Sequence, residues 1–360
     1  MTALMLIVGL IALLLGAEIL VRGASRLALA TGLSPLVIGL TVVGLGTSAP
    51  ELAVGIDAVN RGASDIALGN VVGSNITNVL LILGLSALIA PLVVARQLVW
   101  IDVPVMIAVS IGVFLLALDG SISRAEGLVM TALAVGYVVL QLRLGRREAA
   151  PEEPASDPEQ AGKSAPANWA RNIAMVLGGL VLLVLGARWL VASAVTIAQT
   201  LGLSELVIGL TVIAVGTSMP EIATSVIATL RGQRELAVGN VIGSNVLNLL
   251  LVLGLTSAVA PLGIPVGQAA IHFDMPVMIA TAVACLPIFF TGHCIQRWEG
   301  AVFLGYYVAY TAFLLLDAAS HEALPAFSAA MMQFVVPLTV LTLGIVVMRS
   351  LRHRRGSRTA

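Results

Sequence analysis

Residues 46–51 read GTSAPE and residues 216–221 read GTSMPE. Each hexapeptide sits inside a long apolar run, where a chain crossing lipid rarely carries an acid. The two lie 170 residues apart, and the likeness extends on both sides. With that shift, residues 36–54 match 206–224 at 13 of 19 positions, and residues 67–85 match 237–255 at 13 of 19. GAEILV (16–21) faces GARWLV (186–191), and DVPVM (102–106) faces DMPVM (274–278). The chain carries one unit twice.

The unit is a membrane unit. Of 360 residues, 59% are hydrophobic and 11% charged, with mean hydropathy +1.03. A soluble domain carries about a quarter charged residues, so that class is excluded. Several charge-poor runs reach about 20 residues, the length a helix needs to span hydrocarbon. A barrel would show short alternating segments instead. The reading is an all-α polytopic membrane protein with eleven spans. They fall near 3–21, 35–59, 66–90, 99–118, 125–142, 172–191, 205–229, 236–260, 273–291, 299–317 and 327–348. The first span has no basic residue ahead of it and reads as a true span rather than a signal peptide. Cys285 and Cys294 are the only cysteines, so neither a disulfide framework nor a Cys metal site is expected. His272, His293, His321 and His353 fall at span ends and read as interfacial.

Residues 1–147 hold spans 1–5, and residues 172–317 hold spans 6–10. Residues 148–171 are rich in Pro, Ala and acids and read as a disordered cytoplasmic linker. Residues 318–360 hold an extra span 11 and a basic cytoplasmic tail. Five spans is an odd number, so the second copy crosses the membrane in the opposite sense. The expectation is two inverted-topology five-helix repeats, the architecture of many secondary transporters. With the N-terminus outside, 16 of the 19 basic residues fall on the cytoplasmic side and 3 outside. The positive-inside rule selects this orientation, in an inner membrane, with the C-terminus cytoplasmic. The basic tail reads as a topology anchor on anionic lipid.

Only Glu51 and Glu221 among the acids lie deep in spans; Asp57, Asp102, Asp274, Glu126 and Glu299 fall near span ends or in loops, and Asp102 and Asp274, each before x-Pro at a span start, read as helix caps. A mid-membrane acid costs about 2.5–3.5 kcal/mol. No Lys or Arg lies as deep, so a mobile cation is the expected partner. Thr47 and Ser48 precede Glu51 by four and three residues and share its helix face. Pro50 has no N–H for the carbonyl of Gly46 and loosens the turn. Carbonyls, hydroxyls and a carboxylate are the hard ligands that Ca²⁺ and Na⁺ take. Asn70, Ser74 and Asn78 form one polar face, and Asn240, Ser244 and Asn248 repeat it. Gly69 with Gly73, and Gly239 with Gly243, form GxxxG pairs that let a neighbouring helix approach. Ser34-Pro35 and Ser204 read as caps for spans 2 and 7. Asn70, Asn75, Asn240 and Asn245 fit helix-to-helix hydrogen bonds as well as ion contacts.

These doubled stretches, with GNVVGSNITN and GNVIGSNVLN, resemble the alpha repeats of the cation/calcium exchanger superfamily, most closely the prokaryotic sodium/calcium exchangers. The resemblance covers spans 1–10. It implies an antiporter, not an enzyme, that exchanges Ca²⁺ for Na⁺ by alternating access. It implies that Glu51 and Glu221 are the Ca²⁺ carboxylates and that Thr47 and Thr217 supply carbonyls. Ser48, Ser74, Ser218 and Ser244, with carbonyls at Gly44 and Ala214, would line Na⁺ sites. Asn78 and Asn248 would stand at the centre. Exchangers of this type often carry Asp where Asn248 stands, so two carboxylates are expected here rather than three. Ca²⁺/H⁺ exchange is therefore the alternative reading. A cation channel fits less well, because a pore favours symmetry about the membrane normal. An intramembrane hydrolase has neither a deep His nor paired Asp. No cofactor, nucleic acid or protein partner is expected; the ions are substrates and the bilayer is the solvent.

Overall fold

A computed structural model describes residues 2–62, 64–148, 167–201 and 214–342, together with 344, 346 and 348. Among the described residues, ten helices are long and apolar enough to cross a bilayer. The first six are α1 (Thr2–Thr31), α2 (Pro35–Asn60), α3 (Ile66–Ile89), α4 (Leu98–Ala117), α5 (Arg124–Gly145) and α6 (Trp169–Thr200). A shorter apolar helix follows, α7 (Met219–Leu230), preceded by the turn Ala214–Thr217. The rest are α8 (Arg234–Val259), α9 (Ala270–Phe290), α10 (Arg297–Ala318) and α11 (Leu324–Thr342). The first half of expected span 7 with Ser204, most of the linker (149–166), and the tail from 349 with His353 lie outside the described residues.

Most boundaries fall within a few residues of expectation. α1 and α6 do not: they run to 30 and 32 residues. At about 1.5 Å per residue each exceeds the ~30 Å hydrocarbon. Glu18, Arg22 and Arg26 end the apolar run of α1 without ending the helix, because hydropathy reports lipid exposure and not hydrogen bonding. The two helices lie antiparallel with their backbones in contact. A Cβ on Gly16 would stand 2.7 Å from Leu183 N and 2.9 Å from Gly179 O; one on Gly179 would stand 2.7 Å from Leu20 N. Glycine is the one residue that permits this approach.

Inside this pair, α8 is the most buried span. It meets α2 backbone to backbone: a Cβ on Gly39 would lie 2.7 Å from Leu236 O, and one on Gly239 2.7 Å from Leu36 O. Gly239 and Gly243 thus serve the close approach expected of them. No described atom lies within 4 Å of a Cβ built on Gly69 or Gly73. The repeat would set residues 202–213 against them, and these lie outside the described residues. Ser34 caps α2 as expected, accepting from Val37 N at 3.3 Å, with Pro35 in the first turn.

Two short ribbons tie the halves together. β1 (Leu92–Val93) pairs antiparallel with β4 (Cys294–Ile295), and β2 (Ser121–Ile122) with β3 (Ile264–Pro265). α4 leads from the first ribbon to the second; α9 leads from the second to the first. The two helices therefore run in opposite directions. Exchanging the halves exchanges the ribbons, as an approximate twofold between inverted units requires. Wide π-type turns recur at matched places too: Asn78–Leu83 and Asn248–Val252, then Leu98–Asp102 and Ala270–Asp274.

Two acids other than Asp102 and Asp274 do the capping, Glu126 and Glu299. Glu126 accepts from Ser123 N and Glu299 from Gln296 N, each at 2.7 Å. The cap reading fails for Asp102 and Asp274, the two residues it concerns, and neither makes a capping bond. The wide turns start α4 and α9 before these residues and carry them inward against α5 and α10. Asp102 is fully buried and accepts from Gln97 Nε2 at 3.1 Å, from Tyr137 OH at 3.4 Å and from Gln141 Nε2. Asp274 accepts from Tyr310 OH at 2.9 Å.

Candidate functional site

The helix of span 2 breaks at Ser48, and that of span 7 at Ser218. Both serines leave helical geometry in the same way, with φ −79° and ψ 1° at the first and φ −85° and ψ 7° at the second. Pro50 and Pro220 follow two residues on. Proline has no N–H, which suits the first turn of a new helix. Glu51 and Glu221 then occupy the first turns of Ala49–Asn60 and Met219–Leu230. There the positive end of the helix dipole favours a carboxylate. The local sequence thus builds two short-range supports for two charges the lipid would reject.

The halves bring these charges together. The two carboxylates are close enough to repel each other. Both residues are fully buried, and none of their four Oε atoms meets hydrogen-bond geometry with a donor. Ser74 stands beside the Glu51 carboxylate; Thr47 and Ser48 stand beside that of Glu221. The ion pairs among the described residues involve Glu18 and Asp57 only, so no Lys or Arg answers either glutamate there.

Oxygen atoms frame the pair on both flanks. On one, Thr47 Oγ1 lies 3.1 Å from Asn240 Oδ1 and 3.3 Å from Ser244 Oγ, and Ser244 Oγ donates to Gly44 O at 3.4 Å. On the other, Ser218 Oγ donates to Ser74 Oγ at 3.3 Å. Asn78 Nδ2 donates to Asn245 Oδ1 at 2.9 Å, which leaves Asn78 Oδ1 without a donor. Both side-chain atoms of Asn248 are buried without a partner. Glu51, Glu221, Thr47, Ser48, Ser74, Ser218, Ser244 and Gly44 are therefore brought together, with Asn78 and Asn248 buried near them. Thr217 is half-buried and ends the turn before the break. Ala214 opens that turn, and its side chain lies outside what is described.

Asn70, Asn75, Asn240 and Asn245 make helix-to-helix hydrogen bonds. Asn75 Nδ2 donates to Asn245 O at 3.2 Å, and Asn245 Nδ2 returns the bond to Asn75 O at 3.4 Å. Asn70 donates to Glu51 O at 3.3 Å, and Asn240 to Ser225 Oγ at 3.0 Å. Sequence reasoning missed Thr224. Its hydroxyl is buried without a partner one turn beyond Glu221. The signal was present: the repeat has Val54 there, so a hydroxyl replaces a methyl in one half only. The sulfurs of Met278 and Met106 lie 3.8 Å from Asn75 Nδ2 and 3.5 Å from Asn245 Nδ2; the groups named around the two carboxylates are hard oxygen, with two formal negative charges. Such a set suits Ca²⁺, Na⁺ or protons and offers no nucleophile–base pair for hydrolysis.

Known proteins resemble this chain in sequence and fold. A family model described as sodium/calcium exchanger protein matches residues 1–143 and 171–316 and leaves out α11. CaxA of Alkalimonas amylolytica is 41% identical over 250 residues, covering 68% of this chain and 77% of its own. The sodium/calcium exchanger MaX1 of Methanosarcina acetivorans is 34% identical over 343 residues, covering 86% of this chain and 97% of its own. A structure of the sodium-calcium exchanger NCX_Mj, soaked with 10 mM Na⁺ and zero Ca²⁺, superposes with a TM-score of 0.74 at 30% identity. That match covers 86% of this chain and 98% of the other. A multi-pass helical fold, a doubled acidic motif and matches over both halves lead to one conclusion: this chain belongs to the sodium/calcium exchanger family, and is a transporter rather than an enzyme.

Proposed function

We propose that the protein is a secondary active antiporter that exchanges Ca²⁺ for Na⁺ at the site formed by Glu51 and Glu221. The observation that carries this reading is the pair of buried carboxylates whose four oxygens lack donors, with the hydroxyls of Ser74, Thr47 and Ser48 beside them. Two carboxylates carry a charge of −2, which one Ca²⁺ cancels. Several Na⁺ cancel it as well. Without cations, two like charges in low dielectric repel strongly, and closing the site around them is costly. Only a loaded site passes through occlusion, and that condition turns two opposite fluxes into coupled exchange. The carboxylates would hold Ca²⁺ with carbonyls at Thr47 and Thr217. Ser48, Ser74, Ser218 and Ser244, with the carbonyls of Gly44 and Ala214, would hold Na⁺ on the flanks. Asn78 and Asn248 would sit between.

α1 and α6 would move as one body past the central helices, since their glycine seam joins them to each other without interlocking side chains. The N-terminus would lie outside and the C-terminus in the cytoplasm, in the cytoplasmic membrane. Na⁺ would enter and Ca²⁺ leave; any net charge moved gains about 2.3 kcal/mol per 100 mV. A second reading is favoured by one observation. Asparagine stands at both Asn78 and Asn248, so the site holds two acids, a number that two protons neutralise as readily as one Ca²⁺. The test is ⁴⁵Ca uptake by proteoliposomes holding Glu51→Gln or Glu221→Gln. Both variants elute as folded protein and take up no ⁴⁵Ca above empty liposomes. Retained uptake in either one overturns the site.

A further inference from the structure

The two ends of the α1–α6 pair are not equivalent, and one carboxylate marks the difference. Glu18 of α1 receives Arg231 as a two-pronged pair: Nη2 lies 2.6 Å from Oε1 and Nε 3.0 Å from Oε2. Arg22, one turn on, pairs with the same Oε1. Arg231 closes α7, so Glu18 ties α1 to the elbow between α7 and α8. The repeat sets Arg188 of α6 where Glu18 stands, and Arg61 at the end of α2 where Arg231 stands. Two arginines cannot bridge. Arg61 pairs with Asp57 of its own helix at 2.9 Å, and Arg188 has no ion pair among the described residues.

Packing shows the same asymmetry independently. Leu20, Ala24 and Ala28 of α1 share one buried apolar cluster with Ala223 and Ala228 of α7 and Leu236 of α8. At the other end, Ala53 is exposed where its counterpart Ala223 is buried. Ile66 is 58% exposed where its counterpart Leu236 is 0%. Among the described residues, one end of the pair is therefore tied and covered at Ala223 and Leu236, and the equivalent end is untied and exposed at Ala53 and Ile66, though Ala58 and Ala198 are buried there.

We propose that Glu18 is a positioning residue of the exchange cycle: its ion pair with Arg231 latches one side shut, while the sequence denies the other side such a latch. This rests on the alternating-access reading above. With the N-terminus outside, the latched side is the cytoplasmic one, and the resting carrier faces outward. The pair breaks each time the site opens inward. Partly exposed ion pairs are individually weak, so the latch biases the two states about two- to five-fold and does not lock them.

The test uses the full chain with Cys294→Ser; Cys285 is buried and stays. A reporter cysteine is placed by Ala24→Cys at the latched end or by Ala53→Cys at the other, and its rate of reaction with a maleimide is measured in detergent. The measurement is made in Na⁺ and again at low pH, so that either coupling ion is loaded. No Ca²⁺ flux is read, so the result stands apart from the outcome of the transport assays. Glu18→Gln raises the rate at position 24 about two- to five-fold and lowers it at position 53. Arg188→Glu, which offers Arg61 the missing partner, lowers the rate at position 53 by a similar factor. Unchanged rates with Glu18→Gln overturn the proposal. So does a rise at both positions, which is local loosening and not a shift. So does Arg188→Glu without effect at position 53.

Discussion

A carboxylate shielded from water needs its charge answered, and the acids of this chain fall into three cases. Glu51 and Glu221 have no partner from the protein in hydrogen-bond geometry. Removing either charge therefore relieves repulsion in the ion-free state. In detergent without Ca²⁺, Glu51→Gln and Glu221→Gln each melt higher than the parent protein. Added Ca²⁺ raises the melting temperature of the parent, by a free energy of about 2.7 kcal/mol at a hundredfold excess over Kd, and leaves both variants unmoved. A Ca²⁺ shift retained in either variant would contradict the assignment. Asp102 is the opposite case: three side chains donate to it. Asp102→Ala strands those donors, at about 1–3 kcal/mol for a buried group left unpaired. Its melting temperature falls well below that of Asp102→Asn, which keeps the shape and part of the bonding; equal melting of the two would show the cluster carries no stability. Glu18, the third case, finds guanidinium groups.

Only the first of these cases was legible in the sequence. The repeat marks Glu51 and Glu221 because an improbable residue occurs twice with its neighbours. It does not reveal Gln97, Tyr137 and Gln141 around Asp102, since no spacing along one helix tells what another helix brings. Arg231 at Glu18 is hidden for the same reason.

At the scale of the element, broken and irregular helices do the positioning. The breaks at Ser48 and Ser218 follow from Pro50 and Pro220, and the local sequence declares them. The wide turns at Asn78 and Asn248 are not declared, because nothing in NVLL or NLLL excludes a regular helix; tertiary packing selects them. α1 and α6 run past the apolar stretches that mark them, because the charged residues at their ends leave the helix unbroken. Their glycine seam gives a sharp test. Gly16→Ala sets a Cβ 2.7 Å from a backbone nitrogen of α6, where neither backbone can yield easily. Overpacking of this kind costs about 1–3 kcal/mol. Gly178→Ala, with nothing within 4 Å of its Cβ, is neutral or slightly stabilising, as alanine in a helix is. Thermal melting of the two proteins should move in opposite directions. Equal melting would mean that α1 and α6 are not in backbone contact.

For the whole molecule, the approximate twofold relates the two halves, and α4 and α9 run in opposite directions between the same two ribbons. The ribbons β1–β4 and β2–β3 each take one strand from each half, so neither half closes its own ends. α11 stands outside this symmetry. The family match ends at residue 316, and α11 meets α10 through bonds from Tyr306 OH to Thr339 Oγ1 at 2.7 Å and to Val335 O at 3.2 Å. A chain shortened after Ser320 retains ⁴⁵Ca uptake at a rate within about twofold of the full chain, given the small surface lost. Loss of uptake in a folded, shortened protein would give α11 a part in the cycle.

The most direct measurement is ⁴⁵Ca uptake into proteoliposomes of the purified protein, with an outward Na⁺ gradient in one set and an outward proton gradient in another. The account predicts uptake with the Na⁺ gradient, none with the proton gradient alone, and collapse when Na⁺ is equal on both sides. Uptake driven by protons and indifferent to Na⁺ would contradict Na⁺ coupling and leave the two glutamates as proton carriers. Uptake indifferent to both gradients would contradict exchange itself.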